Sequence, residues 1–261
     1  MFHKKEKPPL SSFDFTTIQP LKNAFAHNDE QFNYPLLDSL KLGFNYVEAD
    51  IHLIKNEIYV SHRKPFFPKN NNTLTKLYLE PLFYFSQKNN STIFNNKNTS
   101  FHLVLDIKTD AIATYEALKT YVQPFQSMLS TLAHQEEKKN PVKILLSGNR
   151  PIDSVVSEHK KTFFLDGRIQ DLENNYSSIL MPVISENYSK IFGYSFFSRI
   201  PSEKKINKFR KIANEIHAQN KQFRLWNIPE NENVWTLLLK NGLDIISTDR
   251  INKLSTFLKN H

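Results

Sequence analysis

Short apolar runs recur eight times along this chain, most of them followed by a stretch of helical periodicity, and that rhythm constrains the fold more than any single motif. The strand-like runs fall at 22–27, 46–53, 101–107, 142–146, 162–165, 179–184, 223–227 and 245–247. Helical segments are expected at 34–42, 74–87, 111–135, within 185–218, and at 232–241 and 253–259, with a hairpin arm at 57–62 returning over Lys55-Asn56. The run Phe101 to Ile107 is almost continuously apolar, as strands buried on both faces are. Eight strands alternating with helices in 261 residues match a (β/α)8 TIM barrel. The competing open doubly wound sheet usually carries a glycine-rich turn after its first strand. With 5 glycines and no GxGxxG or Walker loop, this chain has none. Residues 1–19 are expected as an amino-terminal extension and 20–261 as one barrel domain.

Composition narrows the function classes. Cysteine is absent, which excludes disulfides, a thiolate nucleophile and a sulfur-based zinc site. A net charge of +8 favours anionic ligands, but the lysines are scattered without interleaved aromatics, so nucleic-acid binding is not expected. A phosphate-bearing small molecule fits this charge, and so does peripheral contact with a membrane surface. No obligate protein partner is evident. No stretch is long and apolar enough to span a bilayer, and residues 1–20 lack an apolar signal core. The compartment is unknown, with a secreted or periplasmic location whose export signal is missing slightly favoured over a cytoplasmic one.

In such a barrel the active site lies at the carboxyl ends of the strands. The unusual polar residues collect there: His27 after the first strand, Glu48, Asp50 and His52 on the second, and Asp106 and Lys108 on the third. Asn149 and Arg150 follow the fourth, Asp166 and Arg168 the fifth, and Ser185 the sixth. Trp226-Asn227 and Thr248-Asp249 end the last two, and His62 follows the hairpin. Each has an ordinary structural explanation: a hydrogen-bonded histidine, a helix-capping aspartate, a solvated lysine, a core tryptophan. Their coincidence on one rim favours the functional reading.

Alternation along the second strand puts Glu48, Asp50 and His52 on one face. Glu48, Asp50 and Asp106 supply oxygen ligands suited to one divalent cation, Mg2+ or Ca2+. His27 and His62 are candidates for general acid and base. Lys108, with Arg150 or Arg168, could hold a phosphate oxygen. Metal, two imidazoles and cations together suit phosphodiester cleavage.

Four segments, Ala26-His27-Asn28-Asp29, Glu48-Ala49-Asp50, Ser61-His62 and Leu105-Asp106-Ile107-Lys108, resemble the phospholipase C-like phosphodiesterase superfamily. That group includes glycerophosphodiester phosphodiesterases, phosphatidylinositol-specific phospholipase C and the phospholipase D toxins. Gly148-Asn149-Arg150-Pro151, Asp166-Gly167-Arg168 and Arg224-Leu225-Trp226-Asn227 resemble the branch that contains the altered inheritance of mitochondria protein family.

The resemblance implies a (β/α)8 barrel with His27 and His62 catalytic and Glu48, Asp50 and Asp106 holding the metal. It also implies phosphate or substrate contacts from Asn28, Lys108, Arg150, Arg168 and Trp226. The substrate would be a small phosphodiester or phospholipid headgroup, cleaved by hydrolysis or through a cyclic phosphate. The chain departs from glycerophosphodiesterases at His27-Asn28-Asp29, where they usually have His-Arg-Gly, and at His62-Arg63, where they usually have His-Asp. Asp106 stands where many members use Glu. A non-catalytic anion-binding barrel and a carboxylate-based glycoside hydrolase are the alternatives.

Overall fold

A computed structural model describes residues 8–94, 99–193 and 201–260. Eight parallel strands close into a barrel: β1 (Leu21–Ala26), β2 (Phe44–Ile54), β4 (Phe101–Ile107), β7 (Val142–Gly148), β9 (Phe163–Gly167), β10 (Val183–Asn187), β11 (Gln222–Trp226) and β12 (Ile245–Thr248). β1 pairs with β12 on one side and β2 on the other, which completes the circle. β3 (Glu57–Val60) folds back antiparallel on β2, as the Lys55-Asn56 turn leads one to expect, both turn residues having positive φ. The helices around the barrel are α1 (Leu37–Leu42), α2 (Glu80–Lys88), α3 (Ala111–Tyr121), α4 (Ile152–Ser157), α5 (Tyr188–Phe192), α6 (Glu203–Ala218), α7 (Glu232–Lys240) and α8 (Ile251–Lys259).

The helix expected over 111–135 is a correction. α3 stops at Tyr121, a 3-10 turn covers Gln123–Met128, and a hairpin follows from β5 (Thr131–Ala133) to β6 (Glu136–Lys138). Pro124 enters the 3-10 turn, where its missing N–H cannot continue an α-helix. β5 also pairs with β8 (Lys160–Lys161), and this small sheet lies by the amino end of β7, where Leu129 bridges Val142.

The strand expected at 179–184 begins later, at Val183. Met181 closes a turn onto Ser177, and Pro182 offers no N–H to a ladder. Ser185 therefore lies inside β10 instead of after it. The expected extension 1–19 is described from residue 8 onward, and there Phe13 and Phe15 are buried, with the Phe15 ring edge-on to Phe85 at 4.8 Å. The Asn-rich loop at 88–99 is described except for residues 95–98.

Aromatic rings pack both between helices and strands, as Tyr115 of α3 does on Phe163 of β9 and Phe209 of α6 on Phe223 of β11, and within the barrel. Val47, Ala49 and Ile51 on β2 are buried. Tyr46, on the alternate face, stacks on Phe25 of β1 and on His102 of β4, with ring centroids 6.0 and 4.1 Å apart. Burial pushes the His102 imidazole down to about 3, so it is neutral, a packing element below the site.

Candidate active site

A polar layer crosses the barrel above these rings, and Arg224 at the middle of β11 organises it. Its guanidinium is stacked 3.5 Å over the Phe25 ring and donates to Glu48 Oε2 at 2.8 Å and to Ser247 Oγ at 2.7 Å. Its Nη1 lies 3.4 Å from Asp166 Oδ2. Asp166 is fully enclosed and also accepts from Ser147, Ser185 and Arg168. Burial works to raise this carboxyl, but the adjacent Arg168 and Arg224 charges and the two serine hydroxyls hold it below its ordinary value. A charge-balanced floor of two carboxylates and two guanidiniums thus joins β2, β9 and β11.

Above that floor is a cleft of about 570 Å3 lined by His27, Glu48, His62, Asp106, Lys108 and Arg168, with Trp226 on its wall. β2 and β4 run in register with Asp50 opposite Asp106, which puts two carboxylates side by side at the strand ends. Lys108 Nζ sits 3.2 Å from Asp50 Oδ1 and 2.8 Å from Asp106 Oδ2. Burial lowers the Lys108 ammonium, and its two carboxylate neighbours more than compensate, leaving it raised and charged. Asp50 is wholly buried. Burial, with Asp106 and Glu48 nearby, raises its carboxyl even though Lys108 pulls the other way.

His27 follows β1 directly, its N–H bonded to the Thr248 carbonyl of β12. Its Nδ1 lies 2.8 Å from Asp249 Oδ1 and its Nε2 3.5 Å from Glu48 Oε1. Burial alone would lower this imidazole, yet the Asp249 hydrogen bond and the Glu48 charge raise it overall. Asp249 is lowered chiefly by the same bond. His62 is half-exposed at the mouth, with Nδ1 3.1 Å from Asp50 Oδ2 and 3.2 Å from Asn28 Oδ1. Asn28 sits in the left-handed region at φ 50°, and its amide nitrogen donates to Asp249 Oδ1 at 3.2 Å, so one side chain braces His62 and the carboxylate that holds His27.

Of the residues singled out in the sequence, His27, Asn28, Glu48, His62, Asp106, Lys108, Arg168 and Trp226 line one cleft. Asp50 joins them from below through Lys108 and His62. Arg150 is not among them: its guanidinium is committed to Asp171 and to the Asp166 carbonyl, and it borders a shallow neighbouring depression. His52 is buried and held by the Ser61 carbonyl at 3.0 Å, with burial lowering its imidazole.

Three participants were not assigned from the sequence. Arg224 stands there only as part of the Arg224-Leu225-Trp226-Asn227 segment, with no role of its own; a charged side chain inside a central strand was the available signal. Asp249 reads as a helix cap. Glu30 was passed over as part of the turn after His27, yet its Oε2 accepts from the Asp50 N–H at 3.4 Å, and burial followed by the Asp50 charge raises its carboxyl to about 8.

The carboxylates fit a divalent cation. Glu48, Asp50 and Asp106 each offer a ligand oxygen within 4.8 Å of the others. Asp106 Oδ1 is buried without a hydrogen-bond donor, which is costly for a carboxylate oxygen that no cation satisfies, and Asp50 Oδ1 has only the Lys108 ammonium at 3.2 Å. Gly148, at φ +65°, leaves room for this: a Cβ there would lie 2.0 Å from Asp106 Oδ1.

A family model for the AIM6-like phosphodiesterase domain matches residues 14–166, more than half of the chain. The chain belongs to this family. It is 25% identical over 259 residues to an altered inheritance of mitochondria protein 6 homolog from Arthroderma benhamiae, covering 87% of this chain and 81% of that one. With the altered inheritance of mitochondria protein 6 of Eremothecium gossypii it shares 24% identity, covering 92% of this chain and 70% of the relative.

Among solved structures, a glycerophosphodiester phosphodiesterase from Parabacteroides distasonis superposes with a TM-score of 0.55 at 11% identity, covering 93% of this chain and 98% of that one. One from Agrobacterium tumefaciens gives 0.51 at 10% identity, over 90% and 99%. These likenesses establish the barrel fold, and the family places the chain among phosphodiesterase-like domains.

Proposed function

We propose that this protein is a divalent-metal-dependent phosphodiesterase that cleaves a small phosphodiester or phospholipid headgroup with His27 and His62 as its acid–base pair. The observation that carries the reading is the cleft itself: two imidazoles, each fixed at Nδ1 by a carboxylate, flank a carboxylate trio with an orphaned oxygen on Asp106 and one lysine. Glu48, Asp50 and Asp106 are the residues that would hold the cation, which supplies Lewis-acid polarisation of a phosphoryl oxygen when bound.

The chain's own residues do the rest. Asp249 keeps the proton of His27 on Nδ1, so Nε2 presents a lone pair to the cleft and takes the proton of the attacking hydroxyl, whether water or a hydroxyl of the substrate. The new P–O bond forms as the bond to the leaving alkoxide breaks. His62, at the mouth through which the leaving half departs, donates the proton that alkoxide needs. Lys108 and Arg168 face the phosphoryl oxygens, and Trp226 offers an apolar wall to the remainder of the headgroup.

The assignment is tested with two diesters, one with an alkyl and one with a p-nitrophenyl leaving group. His62→Ala should lose at least about a hundredfold on the alkyl diester and much less on the activated one, which needs no proton. His27→Ala should lose similarly on both. Equal activity of His27→Ala and wild type on either substrate would refute the reading.

A further inference from the structure

The loop that delivers His62 to the cleft also carries the most exposed apolar side chains of the described residues. Phe66 is 95% and Phe67 91% exposed, against 53% for Ile112, the next large hydrophobic. They sit in Arg63-Lys64-Pro65-Phe66-Phe67-Pro68-Lys69, where two prolines bracket two aromatics and three cations surround them. Arg63, Lys64 and Lys69 are exposed and make no ion pair among the described residues.

The loop is firmly based. Val60 donates to the Asn72 carbonyl at 2.8 Å, Tyr59 bridges Thr73, and Ser61 donates to the Asp50 carbonyl at 3.0 Å. The base of the loop is therefore anchored beside His62, which Asp50 also holds. Lys64 borders the shallow depression next to the cleft together with Lys108. Asp110, an acidic neighbour there, has its Oδ1 engaged by the Ala113 N–H as the cap of α3.

We propose that this loop docks the protein on an anionic phospholipid surface, with Phe66 and Phe67 entering the headgroup–acyl boundary and Arg63, Lys64 and Lys69 meeting the lipid phosphates. Two adjacent rings on a convex tip cannot form a groove for a peptide, but they suit a deformable interface. Prolines on both sides limit the conformational freedom lost on insertion. The cations supply the complementary charge, each worth about a fivefold gain in affinity near such a surface. Docking would bring the cleft mouth to lipid headgroups. That consequence rests on the phosphodiesterase reading; the docking itself does not.

Vesicle sedimentation without turnover tests it, with phosphatidylcholine alone or mixed with phosphatidylglycerol. Wild type should bind the mixed vesicles and release them as salt rises. Phe66→Ser/Phe67→Ser should bind about tenfold more weakly or worse, while its turnover of a soluble diester stays at the wild-type level. Arg63→Gln/Lys69→Gln should lose affinity for the mixed vesicles only. Absence of wild-type binding, or equal binding by the double phenylalanine variant, overturns the proposal. So does a wild-type dimer that the double variant makes monomeric with no vesicle binding, which would assign the tip to a second copy. Vesicle binding without cleavage of the soluble diester upholds the docking and overturns the enzymatic reading.

Discussion

Replacing Arg224 with Met keeps much of the side-chain volume and removes the charge that balances the barrel floor. The guanidinium is 3% exposed, 2.8 Å from Glu48 Oε2 and 3.4 Å from Asp166 Oδ2. Asp166 would keep Arg168 at 2.9 Å and two serine hydroxyls, but the nearest remaining partner of Glu48 is the His27 imidazole, at 3.5 Å. Leaving a buried carboxylate without its partner costs about 3–5 kcal/mol. For a domain of this size the melting temperature should fall by roughly 6–20 °C.

The assay is urea and thermal unfolding of wild type, Glu48→Gln, Arg224→Met and the double variant. If the pair interacts as its geometry implies, the double variant should be more stable than the sum of the single losses allows, by about 0.5–3 kcal/mol. Arg224→Met within about 1 kcal/mol of wild type, with no coupling to Glu48→Gln, would refute the argument that this pair anchors the site.

Stability of the metal-free protein should fall between about pH 5 and pH 8. Burial and then the Asp50 charge raise Glu30 from 4.5 to about 8, so across that window the folded state retains a proton that the unfolded chain releases. Glu30→Gln should flatten this slope in urea midpoints measured with EDTA, and an unchanged slope would count against it. Gly148→Ala forces a Cβ against Asp106 Oδ1 and the Ile107 carbonyl at a φ of +65°, and should cost about 1–3 kcal/mol. Titration calorimetry should also show weakened Mg2+ or Ca2+ binding by that variant; wild-type affinity would show that Asp106 is not a ligand.

The barrel was legible because burial imposes itself on sequence twice, through apolar strands and through the helical period that follows most of them. Most of the cleft was legible for a related reason: polar residues at the ends of apolar strands are conspicuous, as His27, Glu48 and Asp106 are. What the sequence concealed was pairing across the barrel. Nothing local to Arg224 announces Glu48, 176 positions away. The hairpin at 131–138 was hidden because its turn residues, His134 and Gln135, adopt positive φ at 51° and 62° without the Asn or Gly that usually marks such a turn. Arg150 misled in the opposite sense: it belongs to a rim motif, but its charge is consumed by Asp171.

Phosphorus NMR of a glycerophosphodiester incubated with the protein and Mg2+ or Ca2+, followed by EDTA, tests metal-dependent cleavage of a diester in this cleft. The diester resonance should give way to a monoester or cyclic phosphate, and EDTA should halt the conversion until the cation is restored. An unchanged diester with either cation, or cleavage that continues unaltered in EDTA, would contradict it.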